Sequence, residues 1–328
     1  MKTGKKYLLL LLCIPLLLTG CKSIPKLENG QEVVVELEGK QFSADELFEA
    51  LKKSYGTSAL ISLVDEYIIE QNLTEEMKKE AEKDAQEQYD YYYVNSASMG
   101  GWDAFLSNYG YTDAQFKEEL KKSAKQNIVL EEYLKTDVVK YEEIKEYYDK
   151  NIYGEITARH ILITPDVTDD MTEEDKTKAK EAALKEAQDL IKQLNKSTKL
   201  NEDFTNLAKE KSDDSGSAKE GGLIENFTNE SGLVTEFWEA SLELEIDKMT
   251  QEPVETDFGY HIIYKVSQKE KPNQDTVKDH IIEKVINELL SSENANFVYW
   301  AGLREKNNLK IHDSVIKDAY DSTMNNLK

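Results

Sequence analysis

The stretch ITARHILITP, residues 156–165, decides how the chain is read. Ile156, Thr157, Ile161, Ile163 and Thr164 are β-branched and Leu162 is apolar, so 156–163 predicts a β-strand. His160 interrupts it. The chain of 328 residues has four histidines, and a second has the same setting. In TDFGYHIIYKV, 256–266, His261 precedes Ile262 and Ile263 as His160 precedes Ile161 and Leu162. If the two strands are neighbours in one sheet, the imidazoles can share a face and hydrogen-bond. Two paired buried histidines can satisfy each other and stay neutral, which removes the cost of a lone buried polar group.

Before residue 155 the texture is helical. VVVELEGKQF, 33–42, reads as a short strand and turn. Ser43 and Glu46 form a capping box, Gly56 reads as a stop, and ALISLVDEYIIEQ is expected as a second helix. Thr74 opens a long charged helix that runs into YDYYYVN. Gly100 and Gly101 break it, and a capping box at Thr112 and Gln115 starts another. Tyr141–Asn151 is a further helix. Beyond 155, the strand is followed by an acidic loop, a long helix capped at TEED, 172–175, and a short helix, DFTNLAKEK. Next come the loop SDDSGSAKEGG, a helical turn near FWEASLEL, a strand at 252–256 and the strand of His261. SQKEKPN, 267–273, is a linker. Helices return from Thr276 to about Asn307, before a strand candidate, LKIHD, and a polar tail. Val33–Leu37 and Leu309–His312 are expected as strand partners. The order predicts an α+β protein, with a central domain at 152–270 inserted in a mainly helical one built from 33–151 and 271–328.

The N-terminus has a different character. Lys2, Lys5 and Lys6 precede an almost wholly apolar run from Leu8 to Leu18, too short to span a bilayer but suited to a signal-peptide core. It ends in LTGC, and this setting of Cys21 resembles the lipobox of bacterial lipoproteins. That resemblance implies a signal peptide at 1–20, a diacylglyceryl group on Cys21 and a tether at 21–32. Two or more acyl chains anchor stably where one is marginal. The other cysteine, Cys13, leaves with the signal, so no intramolecular disulfide is expected. Removing Lys2, Lys5 and Lys6 lowers the formal charge by three from −23. Such acidity argues against nucleic acid as a partner and against adsorption to anionic lipid.

ARHILI, 158–163, LAKEKSDDSGSAKEGG, 207–222, VTEFWEASLEL, 234–244, and PVETDFGYHIIYKV, 253–266, occur in the order seen in parvulin-type peptidyl-prolyl isomerases, and this region resembles that family. With the lipobox and the EGKQFSADELFEALKKSYG pattern, the whole chain resembles the PrsA-type extracytoplasmic foldases of Gram-positive bacteria. The resemblance implies a parvulin fold inserted in a helical chaperone domain and catalysis of X–Pro isomerisation without a cofactor. It places the chain on the outer face of the cell membrane, acting on unfolded secreted proteins, with a homodimer as a possible assembly. It puts His160 and His261 at the floor of a proline pocket and Asp214 where members have a cysteine or an aspartate. Leu233 and Phe237 fall at the apolar positions that hold the proline ring, and Phe258 where some members have a serine.

The chain departs from the family pattern at GGLIENF, 221–227, and in a one-residue insertion between Phe227 and Leu233. A holdase whose parvulin domain binds without turnover is therefore the alternative reading. A solute-binding lipoprotein would need repeated βα units that the sequence lacks. Plainer roles stand beside the sharp ones. Asp214 suits a turn cap in SDDSGS, and Tyr89, Tyr92 and Tyr93 form a stripe at helical spacing that suits a core. His280 and His312 have no motif context, and no metal-ligand spacing is evident.

Overall fold

The computed structural model describes residues 25–327, so the signal run and Cys21 lie outside the described residues. The N-terminal elements are β1 (Val33–Leu37), β2 (Lys40–Ser43), α1 (Ala44–Asn72), α2 (Glu75–Asn95), α3 (Trp102–Tyr109) and α4 (Asp113–Tyr133). Then come α5 (Tyr141–Asn151), β3 (Ile156–Ile163), α6 (Glu173–Leu194), α7 (Leu200–Lys211), β4 (Leu223–Phe227), α8 (Thr235–Glu243), β5 (Val254–Thr256) and β6 (Gly259–Gln268). The chain ends with α9 (Gln274–Leu290), α10 (Ala295–Lys306) and α11 (Ser314–Asn326). Two compact units result. One comprises the described residues of Met1–Tyr133 and Glu293–Lys328; the other is Leu134–Ser292.

The first unit is helical and is assembled from both chain ends. Ser43 caps α1 in the expected box with Glu46. Gly56 does not stop that helix, which continues to Asn72. A Cβ at Gly56 would come within 3.3 Å of Ile316 of α11, so the bare glycine admits a close helix crossing. β1 pairs with β2 across a tight turn rather than with Leu309–His312, which is not a strand. Local hairpin closure orders fewer residues than a pairing across the whole chain. The expected polar tail contains α11, capped by Asp313 and packed on α1. Around Trp102, the rings of Tyr89, Tyr93, Phe105 and Phe116 form an aromatic cluster. Tyr89 and Trp102 both donate to the Asp113 carboxylate. Of the tyrosine stripe only Tyr89 packs against the buried cluster; Tyr92 and Tyr93 remain exposed.

The second unit is built on an antiparallel four-stranded sheet of order β4-β3-β6-β5. Alternation along the strands divides it into two faces. Ile161, Ile163, Tyr260, Ile262 and Tyr264 pack with α6 and α7. Ile156, Ala158 and Ile263 pack with Phe227 and with Phe237 and Trp238 of α8. β4 was not evident in the sequence: it is a short edge strand with exposed Glu225 and Asn226. α5 and α9 pack on each other within this unit, so it is wider than 152–270 on both sides. Tyr148 of α5 donates to the Pro272 carbonyl at 2.8 Å.

Candidate active site

β3 and β6 pair directly, with His160 opposite Ile263 and Leu162 opposite His261. The two histidines therefore stand diagonally on one face, the face that α8 covers. Both are buried, their rings are stacked at 5.4 Å, and their Nδ1 atoms lie 3.1 Å apart. Phe237 meets both rings edge-on, at 5.3 Å from His160 and 5.4 Å from His261.

Hydrogen-bond chemistry fixes the tautomers. His160 Nε2 lies 2.8 Å from Asp214 Oδ2, and a carboxylate only accepts, so this nitrogen bears the proton. In a neutral ring His160 Nδ1 is then an acceptor, and His261 Nδ1–H must donate to it. His261 Nε2 is left as an acceptor for the Thr256 hydroxyl, 3.0 Å away. A one-way chain runs from Thr256 through both imidazoles to Asp214. Ser217 donates to the same Asp214 oxygen and also lies 2.9 Å from His160 Nε2.

The charges follow. Burial pushes both histidine pKa values down, that of His261 from 6.5 to about 4, where the neighbouring His160 adds to the effect. Asp214 tempers the fall at His160. Burial raises the Asp214 pKa, but hydrogen bonds from Ser217, His160 and the Gly216 N–H outweigh it and hold the group below its ordinary value. At neutral pH the floor is a neutral imidazole pair ending in one ionised carboxylate.

The depressed pKa of His261 makes the fold sensitive to acid. With a folded value of about 4 against 6.5, its contribution is fully present above pH 6.5 and is lost as pH falls towards 4. The limit of that loss is about 3 kcal/mol. Thermal melts between pH 7 and 4.5 should show the decline. His261→Asn, which cannot titrate, should make the decline shallower, with the part due to His160 remaining; an unchanged slope in that variant would assign the acid sensitivity elsewhere.

Local structure explains why these groups meet. The loop after α7 is tied to β3: Asp213 N–H donates to Leu162 O at 2.8 Å, and Leu162 N–H donates to Ser212 Oγ at 3.1 Å. Asp214 then divides its roles. Oδ1 accepts the Gly216 N–H at 3.0 Å as a turn cap, and Oδ2 serves His160. Gly222, at φ +73, lies so close to His160 that a Cβ would fall 2.0 Å from its carbonyl oxygen. No side chain fits there, which is why GG precedes β4.

Of the residues singled out in the sequence, His160, His261, Asp214 and Phe237 are brought together. Leu233 is partly buried in the same apolar cluster as Phe237. Phe258 is 59% exposed on the β5–β6 turn. Its link to the pair is indirect, since its N–H donates to the Thr256 hydroxyl. Ser217 and Thr256 complete the network; each lies a few residues from a named site residue, which was the available signal. Lys265 was also missed. It is buried, its pKa is lowered by burial, and its Nζ donates to the carbonyls of Leu242 at 3.2 Å and Leu244 at 2.8 Å. It thereby secures the C-terminal end of α8, the helix of Phe237.

An antiparallel sheet with paired central histidines under a phenylalanine is the frame of a parvulin-type peptidyl-prolyl isomerase, and a family model for the PPIC-type PPIase domain matches residues 136–270. The similarity extends beyond that domain. A foldase protein PrsA from Clostridium acetobutylicum is 30% identical over 276 residues, covering 80% of this chain and 76% of its own. One from Geobacillus kaustophilus is 29% identical over 286 residues, covering 86% and 85%. The crystal structure of foldase protein PrsA from Streptococcus pneumoniae matches in fold, with a TM-score of 0.54 at 16% identity, over 88% of this chain and 98% of that one. The chain belongs to the PrsA foldase family, and its parvulin domain is flanked by helical chaperone segments.

Proposed function

We propose that the protein is a lipid-anchored foldase on the outer face of the cell membrane and that its clients are unfolded secreted proteins. In this reading His160, Asp214 and His261 form the catalytic floor, while Leu233, Phe237 and Phe258 hold the proline. Planar imide resonance opposes rotation by about 18–20 kcal/mol. The twisted imide has less charge separation than the planar one, so an apolar, water-poor cup favours it. The observation that supports this most is Phe237 set edge-on against two hydrogen-bonded, neutral histidines. Chaperone capacity is supported by exposed apolar side chains on the helical unit, among them Phe48, Leu63, Tyr67 and Val94. No helix among the described residues is long and apolar enough to cross a membrane; in this reading the acyl chains on Cys21 hold the protein there.

Two experiments test the reading. Refolding of a secreted client limited by an X–Pro bond, a step of tens of seconds unaided, should be accelerated by the wild type and not by Phe237→Ala. Equal rates with both would remove the pocket from the foldase activity. Cys21→Ala should move the protein from the membrane fraction to the medium or stall its processing. An unmodified Cys21 found by mass spectrometry on membrane-bound wild type would contradict the anchor. The domain boundaries form part of the same proposal. Because α5 and α9 pack within the sheet unit, residues 134–292 should melt more cooperatively than 152–270.

A further inference from the structure

The loop between β4 and α8, Thr228–Val234, presents Leu233 to the apolar cluster and contains the inserted residue. It is an ordered turn: Ser231 Oγ accepts the Thr228 N–H at 2.9 Å, and Thr228 Oγ1 accepts the Glu230 N–H at 3.2 Å. Glu230, beside the turn, reaches back to α9. One carboxylate oxygen lies 3.0 Å from His280 Nε2 and the other 3.3 Å from Lys284 Nζ. Next to it, Asn229 Nδ2 donates to the Asn151 carbonyl at the end of α5, at 3.1 Å. Tyr147 of α5 faces the same carboxylate; its pKa is pushed up by burial and then by Glu230 and Glu288.

These contacts bridge a cleft of about 240 Å³ lined by Ile152, Thr228, Glu230, Val277 and His280. The loop is therefore held to the helix pair by a few polar side chains across open space. α9 lies beyond residue 270, where the isomerase family match ends, so His280 and Lys284 come from outside the matched region, whereas Asn151 lies within it.

We propose that Glu230 is a positioning residue and that α9, through His280 and Lys284, holds the loop that sets Leu233 at the mouth of the proline subsite. This rests on the pocket reading given above. Releasing the loop lets Leu233 sample positions away from the cup. Binding of the X–Pro segment weakens, while the histidine floor, set by the strands, is unaffected. The effect belongs in KM and leaves kcat nearly constant.

The test uses the full chain, a tetrapeptide with one X–Pro bond, and the variants Glu230→Ala, Glu230→Lys, Glu230→Lys with Lys284→Glu, and Phe237→Ala. Glu230→Ala should raise KM about three- to fivefold, the scale of half-exposed ion pairs, with kcat within about twofold and an unchanged melting temperature. Glu230→Lys should be worse, and the added Lys284→Glu should restore most of the loss. If Glu230→Ala leaves KM unchanged while Phe237→Ala abolishes turnover, the anchor is overturned and the pocket stands. If the melting temperature falls along with affinity, Glu230 is merely structural and the proposal also fails. If neither Glu230→Ala nor Phe237→Ala alters activity, the pocket reading falls and takes the anchor with it.

Discussion

Asp65→Ala should destabilise the helical unit by about 3–5 kcal/mol, the cost of leaving one partner of a buried ion pair uncompensated. Asp65 of α1 receives two hydrogen bonds, each 2.7 Å, from Arg304 of α10. Both side chains are largely out of solvent, Arg304 at 3% exposure and Asp65 at 11%. The pair connects residues 239 positions apart, so it clamps the two chain ends that make one unit. A whole domain is stable by only about 5–15 kcal/mol, and the single change removes a large part of that. Urea unfolding of the variant measures it. Asp65→Leu with Arg304→Met should recover most of the loss, because replacing a buried pair by apolar groups is often neutral. A loss below about 1 kcal/mol in Asp65→Ala would place the pair among weak surface pairs and remove it as the clamp.

His160→Ala should impair both folding and catalysis. It leaves the donor of His261 without its acceptor and the Asp214 carboxylate without its imidazole, and it opens a void beneath Phe237. An unpartnered buried group alone costs about 1–3 kcal/mol. His261→Ala should be milder, since His160 retains Asp214 and Ser217. The double variant should cost less than the sum, by about 0.5–3 kcal/mol, the range for side chains in one network. Asp214→Ala should also lower stability, because that carboxylate serves a turn, a serine and a histidine at once. Matched melting curves and isomerisation rates for the four variants provide the check. Additive histidine effects with wild-type turnover would mean that the two rings are there for packing alone.

The pairing of the two histidines at the candidate site was legible in the sequence largely because a histidine within a β-branched strand is a conspicuous local conflict, and it occurs twice. Asp214 and Phe237 came only through resemblance, since a loop acid or a helical phenylalanine has many plainer explanations. Ser217 and Thr256 were hidden because a hydroxyl near a turn usually bonds its own backbone, and these two also reach an imidazole. In the fold, caps at Ser43, Thr74 and Thr172 were readable from local chemistry. Gly56 misled because a glycine that ends a helix and one that admits a neighbouring helix look alike until Ile316 is placed beside it. α11 was lost because its apolar residues are sparse, and its reason for being helical lies in α1. Glu230 was beyond reach for the same reason: its partners are fifty or more residues away.

The most direct test of the central claim is exchange NMR on an X–Pro tetrapeptide with the full-length wild type and Phe237→Ala at equal concentration. The wild type should accelerate exchange between the cis and trans forms, and Phe237→Ala should lose at least about tenfold of that acceleration, equivalent to 1.4 kcal/mol of transition-state stabilisation, while still folded by circular dichroism. Identical exchange rates with the two proteins, or no acceleration by the wild type, would contradict a proline-gripping catalytic site built on His160, His261 and Phe237.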